Sequence, residues 1–248
     1  MSDAAGKELV FIGDVHLDRD DPALEAFLGF LSGLGKTASR VVLMGDLFNV
    51  WIGGRAMEQP HQAAVVRELA ELRRRGVSVG YLEGNRDYRI GRHYTGTALD
   101  EASDAHLIER HGGLSVYATH GDLVNVRDRQ YRLWRAFSRS APVWALFELL
   151  PARRRVALVE RLERRMRRTN LAHKRALPEQ QLREFAAHRL REGYDAVVVG
   201  HFHVERELRI EGGPAPGRLF VLPEWRESRR HLVLRESGEL GFVDSRGD

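Results

Sequence analysis

The chain has 248 residues, 43% of them hydrophobic, a formal charge of +4, a pI of about 9.7 and no cysteine. That length suits one good core. The missing cysteines exclude disulfides, thiolate zinc sites and cysteine nucleophiles, and no apolar run reaches the ~18 residues of a membrane span. Residues 1–7, MSDAAGK, lack a basic start followed by a long apolar stretch, so a cytoplasmic chain without a secretory signal is expected.

Residues 9–12, LVFI, predict a short buried strand. Asp21-Pro22 predicts a helix start, a capping carboxylate followed by proline at the first helical position. Leu24, Phe27, Leu28 and Leu31 give that helix its apolar stripe, and Gly33 and Gly35 are expected to end it. Val41–Asp46, VVLMGD, predicts a second strand of the continuously apolar kind. His61–Gly76 predicts a second helix with Val65, Val66, Leu69 and Leu72 inward, and Val77–Asn85 a third strand. This alternation argues for a layered α/β fold with parallel pairing. Leu114–Asp122 and Tyr194–His203 predict two more strands that run into polar residues. Residues 123–193 between them are helical in pattern, and are expected to form an insertion or cap on one domain spanning 1–248. RELRI, RLFVL and HLVLRE are short β-like runs near the end.

The strand ends carry the chemistry. Asp14 and His16 follow the first, Asp46 the second, Asn85 the third, His120 the fourth, and His201 and His203 the fifth. One histidine at a strand end is usually a satisfied core or surface residue, and one aspartate there is usually a turn residue. Five polar clusters in order, most with glycines beside them, are another matter. In open α/β sheets the ligand site lies outside the carboxyl ends of the strands, so all five would converge. Two Asp, one Asn and four His form an oxygen- and nitrogen-rich donor set that suits Mn²⁺, Fe²⁺ or Zn²⁺ better than a magnesium cage. Residues two apart, as in Asp14-Val15-His16, can face one side once the chain turns over the sheet edge.

The ordered set DVH, GD, GNRD, THGD and GHFH resembles the calcineurin-like metallophosphoesterase superfamily. The resemblance covers residues 9–203 and implies an α/β fold: a four-layer αββα sandwich with a helical cap insertion at about 123–193. It also implies two divalent cations, with Mn²⁺ expected. By the superfamily pattern Asp14, His16, Asp46 and His203 would hold one. Asp46, Asn85, His120 and His201 would hold the other, with Asp46 bridging. Such a pair acidifies water and clamps phosphoryl oxygens in an in-line displacement, so Asp46, Asn85 and His120 are expected in catalysis. Asp87 is expected to orient a metal-ligating histidine.

GNRDY places Arg86 where many members carry histidine. An arginine stays protonated and can grip a phosphate and stabilise its developing charge. GNRDY, MGDLFNVWIGG (Met44–Gly54) and FVLPEWRES (Phe220–Ser228) resemble one branch of the superfamily, the UDP-2,3-diacylglucosamine diphosphatases of lipid A biosynthesis. That branch implies a nucleotide-activated glycolipid as partner and a cap that grips its acyl chains. Tyr131–Pro151 supplies Leu133, Trp134, Phe137, Val143, Trp144, Leu146, Phe147, Leu149 and Leu150, followed at once by the arginine-rich stretch 151–175. Apolar groups beside dense arginine suit an anionic membrane surface, so a chain lying on the inner membrane from the cytoplasm is expected. Tyr131, Asn170 and Lys174 are expected substrate contacts. Two other readings stay open: a phosphodiesterase of the same fold acting on a soluble nucleotide, and a basic nucleic-acid binder or nuclease. The aromatics sit in one apolar block and are not spaced along a groove, which disfavours nucleic acid.

Overall fold

The computed structural model describes residues 7–169, 177–211, 213 and 215–246. The chain runs β1 (Glu8–Ile12), α1 (Ala23–Thr37), β2 (Ala38–Leu43), β3 (Trp51–Ile52), α2 (Pro60–Arg74), β4 (Ser78–Leu82), β5 (Asp87–Tyr88), α3 (Ile90–Tyr94), β6 (Glu101–Ser103), β7 (Leu107–His111) and β8 (Leu114–Thr119). It continues with α4 (Arg129–Ser138), α5 (Ala141–Leu149), α6 (Ala152–Thr169), α7 (Glu179–Arg191), β9 (Ala196–Val199), β10 (Arg206–Ile210), β11 (Gly217–Val221), α8 (Trp225–Ser228), β12 (Arg230–Leu234) and β13 (Leu240–Asp244).

The strands form one sheet in the order β13-β12-β1-β2-β4-β6 and another in the order β10-β11-β9-β8-β7, with β3 and β5 as a small third pair. β1, β2, β4 and β6 pair in parallel, as do β8, β9 and β11. Three apolar clusters make these sheets a four-layer sandwich. Phe27, Leu31, Val65 and Leu69 of α1 and α2 pack with Val10, Val41 and Val79 on the outer face of the first sheet. Leu9, Phe11 and Val42 from that sheet's other face meet Val116, Ala118, Val198 and Phe220 between the two sheets. Tyr117, Val197, Val199 and Leu219 turn outward onto Leu182, Ala186 and Leu190 of α7. Strand alternation sends successive residues to opposite layers, and here both faces are apolar because both are covered.

The structure corrects several expected boundaries. Gly33 and Gly35 do not end α1, which continues to Thr37 and passes directly into β2 through the extended Ala38. Gly33 is exposed, and a Cβ there would meet nothing within 4 Å. Gly33→Ala is therefore expected to stabilise the fold by ~0.5–1 kcal/mol through helix propensity, read from the urea midpoint at unchanged slope. The strands expected at 77–85, 114–122 and 194–203 are shorter, and the one expected at 41–46 runs instead from Ala38 to Leu43, because their polar tails leave the sheets to turn over the edge. The segment 123–193 divides: α4, α5 and α6 lie by the strand ends, whereas α7 belongs to the outer layer. β6, β7 and β13 were not foreseen. β7 alternates between buried and exposed residues over only five positions, and β6 has three.

His231 on β12 is buried beside Phe30, with its Nδ1 at 3.0 Å from Ser245 Oγ. Burial lowers its pKa to about 4, against the pull of Asp244 and with the help of Arg230. The folded ring stays neutral where the unfolded one takes a proton near 6.5. Its contribution is thus complete above pH 6.5 and is lost as pH falls toward 4, on the order of 3 kcal/mol. His231→Phe should flatten that part of the stability profile in denaturant titrations between pH 7 and 4.

Candidate metal centre

β1 and β2 lie side by side, and their continuations stay paired after the strands end. Asp14 N–H donates to Gly45 O at 3.2 Å, His16 N–H to Asp46 O at 3.0 Å, and Leu17 N–H to Leu47 O at 3.0 Å. This ladder of loops puts the DVH and GD motifs together. Asp14, His16 and Asp46 all adopt left-handed backbone, with φ of 53°, 50° and 52°. Such φ values are costly for residues other than glycine and collect at functional sites. Val15 between them turns into the core, so Asp14 and His16 share a side. The second sheet repeats the device. β8 and β9 are parallel neighbours, Gly200 N–H donates to His120 O at 2.9 Å, and His201 and His203 have φ of 71° and 57°. The two sheet edges are joined where His201 N–H donates to Asp14 Oδ2 at 2.7 Å. Trp51 N–H to Arg86 O, 3.0 Å, ties in the loop that carries Asn85.

Carboxylates and imidazoles converge in two groups, Asp14 with His16 and His203, and Asp14 with Asp46 and His120. The first group contains His16 Nε2 at 3.1 Å from His203 Nε2, and His203 Nε2 at 3.4 Å from Asp14 Oδ1. In the second, Asn85 Oδ1 lies 3.1 Å from His120 Nε2 and 3.0 Å from His201 Nδ1. All seven residues expected to bind metal are therefore at one place. Asp14, rather than Asp46, is common to both carboxylate–imidazole groups.

The electrostatics suit cations. Burial would lower His203, but the hydrogen bond and charge of Asp14, with Glu224, outweigh it and raise its pKa to about 10. Burial likewise opposes His120, whose pKa is raised by Asp46, Asp14 and Asp122. His16 is held well below its usual value by burial, and His201 falls to about 3 through burial and the charge of His120. Burial pushes Asp14 up, yet its histidine partners, His203 foremost, hold it below the usual carboxylate range. Burial raises Asp46 against the pull of His120 and Arg86. The charges of Asp14 and Asp46 thus favour the protonated forms of His203 and His120. His120 Nδ1 lies 2.8 Å from Met44 O and its Nε2 3.1 Å from Asn85 Oδ1, so a proton held on Nδ1 by that carbonyl would leave Nε2 to face a cation. Asp14 Oδ1 is buried and faces His203 Nε2 at 3.4 Å and His16 Nε2 at 3.9 Å, a carboxylate oxygen and two imidazole nitrogens turned toward one another. The donors present therefore fit divalent cations.

Other expected residues are placed less simply. Arg86 is 3% exposed, its N–H donates to Asp46 Oδ1 at 3.0 Å and its Nε lies 3.5 Å from Asp46 Oδ2. Among the described residues Asp87 hydrogen-bonds no histidine. Its Oδ2 accepts from Asp46 N (2.7 Å), Gly84 N (3.0 Å) and Tyr81 OH (2.9 Å), so it fixes the backbone of two ligand loops. The carboxylate that faces a histidine is Glu224, Oε2 at 3.5 Å from His203 Nδ1. Beside it, Arg226 reaches the carbonyl of His16 at 3.5 Å and Asp21 at 3.3 Å. Both stand in the PEWRES run, whose sequence signalled a segment but not a task. The Tyr131 hydroxyl donates to Asp122 at 2.5 Å. Asn170 and Lys174 lie outside the described residues. In the cap, Trp144 packs with Val50, Ile52, Tyr88 and Val159, whereas Leu133, Trp134, Phe137, Leu146 and Leu149 stay 54–80% exposed.

A sandwich of this layering with carboxylates and imidazoles meeting at its strand ends defines a metal-dependent hydrolase. The model of the calcineurin-like phosphoesterase family matches residues 8–205, and the chain belongs to that family. Among curated relatives, the UDP-2,3-diacylglucosamine hydrolase of Pseudomonas putida (strain F1) is 32% identical over 240 residues, covering 93% of this chain and 96% of its own. That of Pseudomonas entomophila is 31% identical with the same coverage. That of Haemophilus influenzae (strain Rd) is 28% identical, covering 96% and 99%.

Proposed function

We propose that the chain hydrolyses the pyrophosphate bond of UDP-2,3-diacylglucosamine to UMP and 2,3-diacylglucosamine 1-phosphate, a step of lipid A biosynthesis. The convergence of two carboxylates, an amide and four imidazoles at the sheet edge carries the reading. The relatives named above, which span nearly the whole chain, support the substrate. Asp14, His16, Asp46 and His203 would hold one cation, and Asp46, Asn85, His120 and His201 the other, with Mn²⁺ the ion expected. When bound, the cations supply acidified water and positive charge for the phosphoryl oxygens. This chain's residues do the rest. Met44 O fixes the His120 tautomer, Asp87 holds the Asp46 and Gly84 backbone, and Arg86 meets charge that develops as the bridging oxygen leaves. Tyr131, Asn170 and Lys174 are proposed to contact the substrate.

Large apolar side chains exposed on α4 and α5, flanked by exposed arginines such as Arg153, Arg154, Arg161 and Arg164 on α6, support a substrate taken from an anionic membrane surface. Among the described residues no helix is long and apolar enough to cross a membrane, so the contact proposed is peripheral, on the cytoplasmic side of the inner membrane. A soluble nucleotide substrate would leave that exposure without a purpose. The test is turnover with Mn²⁺ of the detergent-dispersed lipid against a soluble nucleotide diphosphate, followed by product mass. Release of UMP from the lipid alone is expected, and a chain that yields no UMP from it sinks the reading.

A further inference from the structure

The helix α4 begins the cap, yet one of its faces is built into the ligand loops. Tyr131, Arg135 and Arg139 follow at four-residue intervals, so they line one side of the helix and its C-terminal turn. Tyr131 OH and Arg135 Nε both reach Asp122 Oδ2, the latter at 2.7 Å, and Asp122 stands two residues after His120. Arg135 also donates to Asp104 O at 2.7 Å. Arg139 makes the denser set. Its Nη2 donates to the carbonyls of Gly84 and, at 3.0 Å, of Asp87, while its Nη1 meets Glu83 Oε2 at 3.1 Å. The guanidinium lies over the Tyr88 ring at 5.6 Å, and its side chain is only 13% exposed.

These two carbonyls bracket Asn85 and Arg86. Asn85 Oδ1 is the atom on which His120 and His201 converge. Glu83, the third partner, also accepts from the N–H groups of Arg89, Ile90 and Gly91 beyond the loop. One planar cation therefore ties the entry, the exit and the following turn of the loop that presents Asn85. A lysine ammonium cannot reproduce that fork, and charge-assisted bonds of this kind are about twice as strong as neutral ones.

We propose that Arg139 is a positioning residue that holds Asn85 in metal-binding geometry, making α4 a strap between the cap and the second cation site. The inference rests on the two-cation reading above. No sequence motif points to it, because Arg139 is one of many arginines in its region and its partners are mostly backbone carbonyls.

The test is calorimetric titration of the metal-free full chain with Mn²⁺ alone. Wild type is expected to bind two ions. Arg139→Gln should weaken one of them by about 10–100-fold and leave the other within about twofold, with Arg139→Lys in between. On an Asn85→Ala background Arg139→Gln should change nothing further, since the two act on one ligand. A merely structural role would weaken both sites equally or only lower the melting temperature, and either result overturns the inference. So does a variant that binds both ions as tightly as wild type. If Arg139→Gln does not fold, Arg139→Lys is read by the same criterion. A wild type that binds fewer than two ions overturns the two-cation reading itself, and the inference with it.

Discussion

Asp46→Ala is expected to reduce hydrolysis more than about a thousandfold, on the order of 4 kcal/mol of transition-state stabilisation, and to lower bound metal. The expectation follows from its place. Asp46 is 2% exposed, 3.9 Å from His120 Nε2, and its Oδ1 also accepts from Arg86 N. Asp14→Ala should be at least as damaging to metal content, because Asp14 belongs to both carboxylate–imidazole groups. Stability should show the linkage separately. The metal-free site keeps Asp14, Asp46 and Asp87 buried together, and burial with the charge of Asp46 pushes Asp87 up to about 7. Cations relieve that repulsion, and by mass action each bound Mn²⁺ at a hundred times its Kd should stabilise wild type by about 2.7 kcal/mol. Asp46→Ala should lose most of that gain. Metal content by elemental analysis and melting with and without Mn²⁺ measure both effects. Unchanged metal content and unchanged hydrolysis would remove Asp46 from the site.

What the sequence made legible, and what it hid, divides by range of interaction. Val41–Leu43 and Ala196–Val199 announce themselves because both faces of each strand are buried, so apolar residues run on without a break. The motifs after them are legible because left-handed turns and close backbone approaches demand fixed spacing and glycines. Glu224 and Arg139 were hidden because their roles depend on partners far along the chain, His203 and the carbonyls of Gly84 and Asp87. Asp87 was misread for the same reason. A carboxylate beside a metal motif suggests a histidine partner, but the nearest donors are two backbone N–H groups and Tyr81. Trp51, part of the MGDLFNVWIGG motif, is fully buried against Phe48, Tyr81 and Tyr94. Its ring packs β3 against β4 and α3, while its backbone N–H bonds the carbonyl of Arg86, so it serves the site from beneath.

Gly84→Ala is expected to match Asp46→Ala in direction while leaving every ligand in the chain. A Cβ on Gly84 would run into Asp46 Oδ1 and lie 2.7 Å from the Asp46 backbone nitrogen. Atoms essentially never come so close, and neither neighbour is the free end of a flexible side chain. Asp46 is pinned by Asp87 at its nitrogen and by Arg86 at its carboxylate, so relief must come from the loops moving apart. That separates Asn85 from Asp46, the two residues proposed to share the second cation. Overpacking of this kind costs about 1–3 kcal/mol, which a folded chain survives, whereas hydrolysis should fall more than about a hundredfold because misplacement of a ligand is far more costly to rate than to stability. Gly33→Ala, with open space around its new methyl, is the matched control and should keep full activity. The informative result is the combination: cooperative melting retained in Gly84→Ala, Mn²⁺ binding weakened, and turnover lost. If Gly84→Ala instead turns over within twofold of wild type, the close approach of these two loops does not set the position of the Asp46 carboxylate.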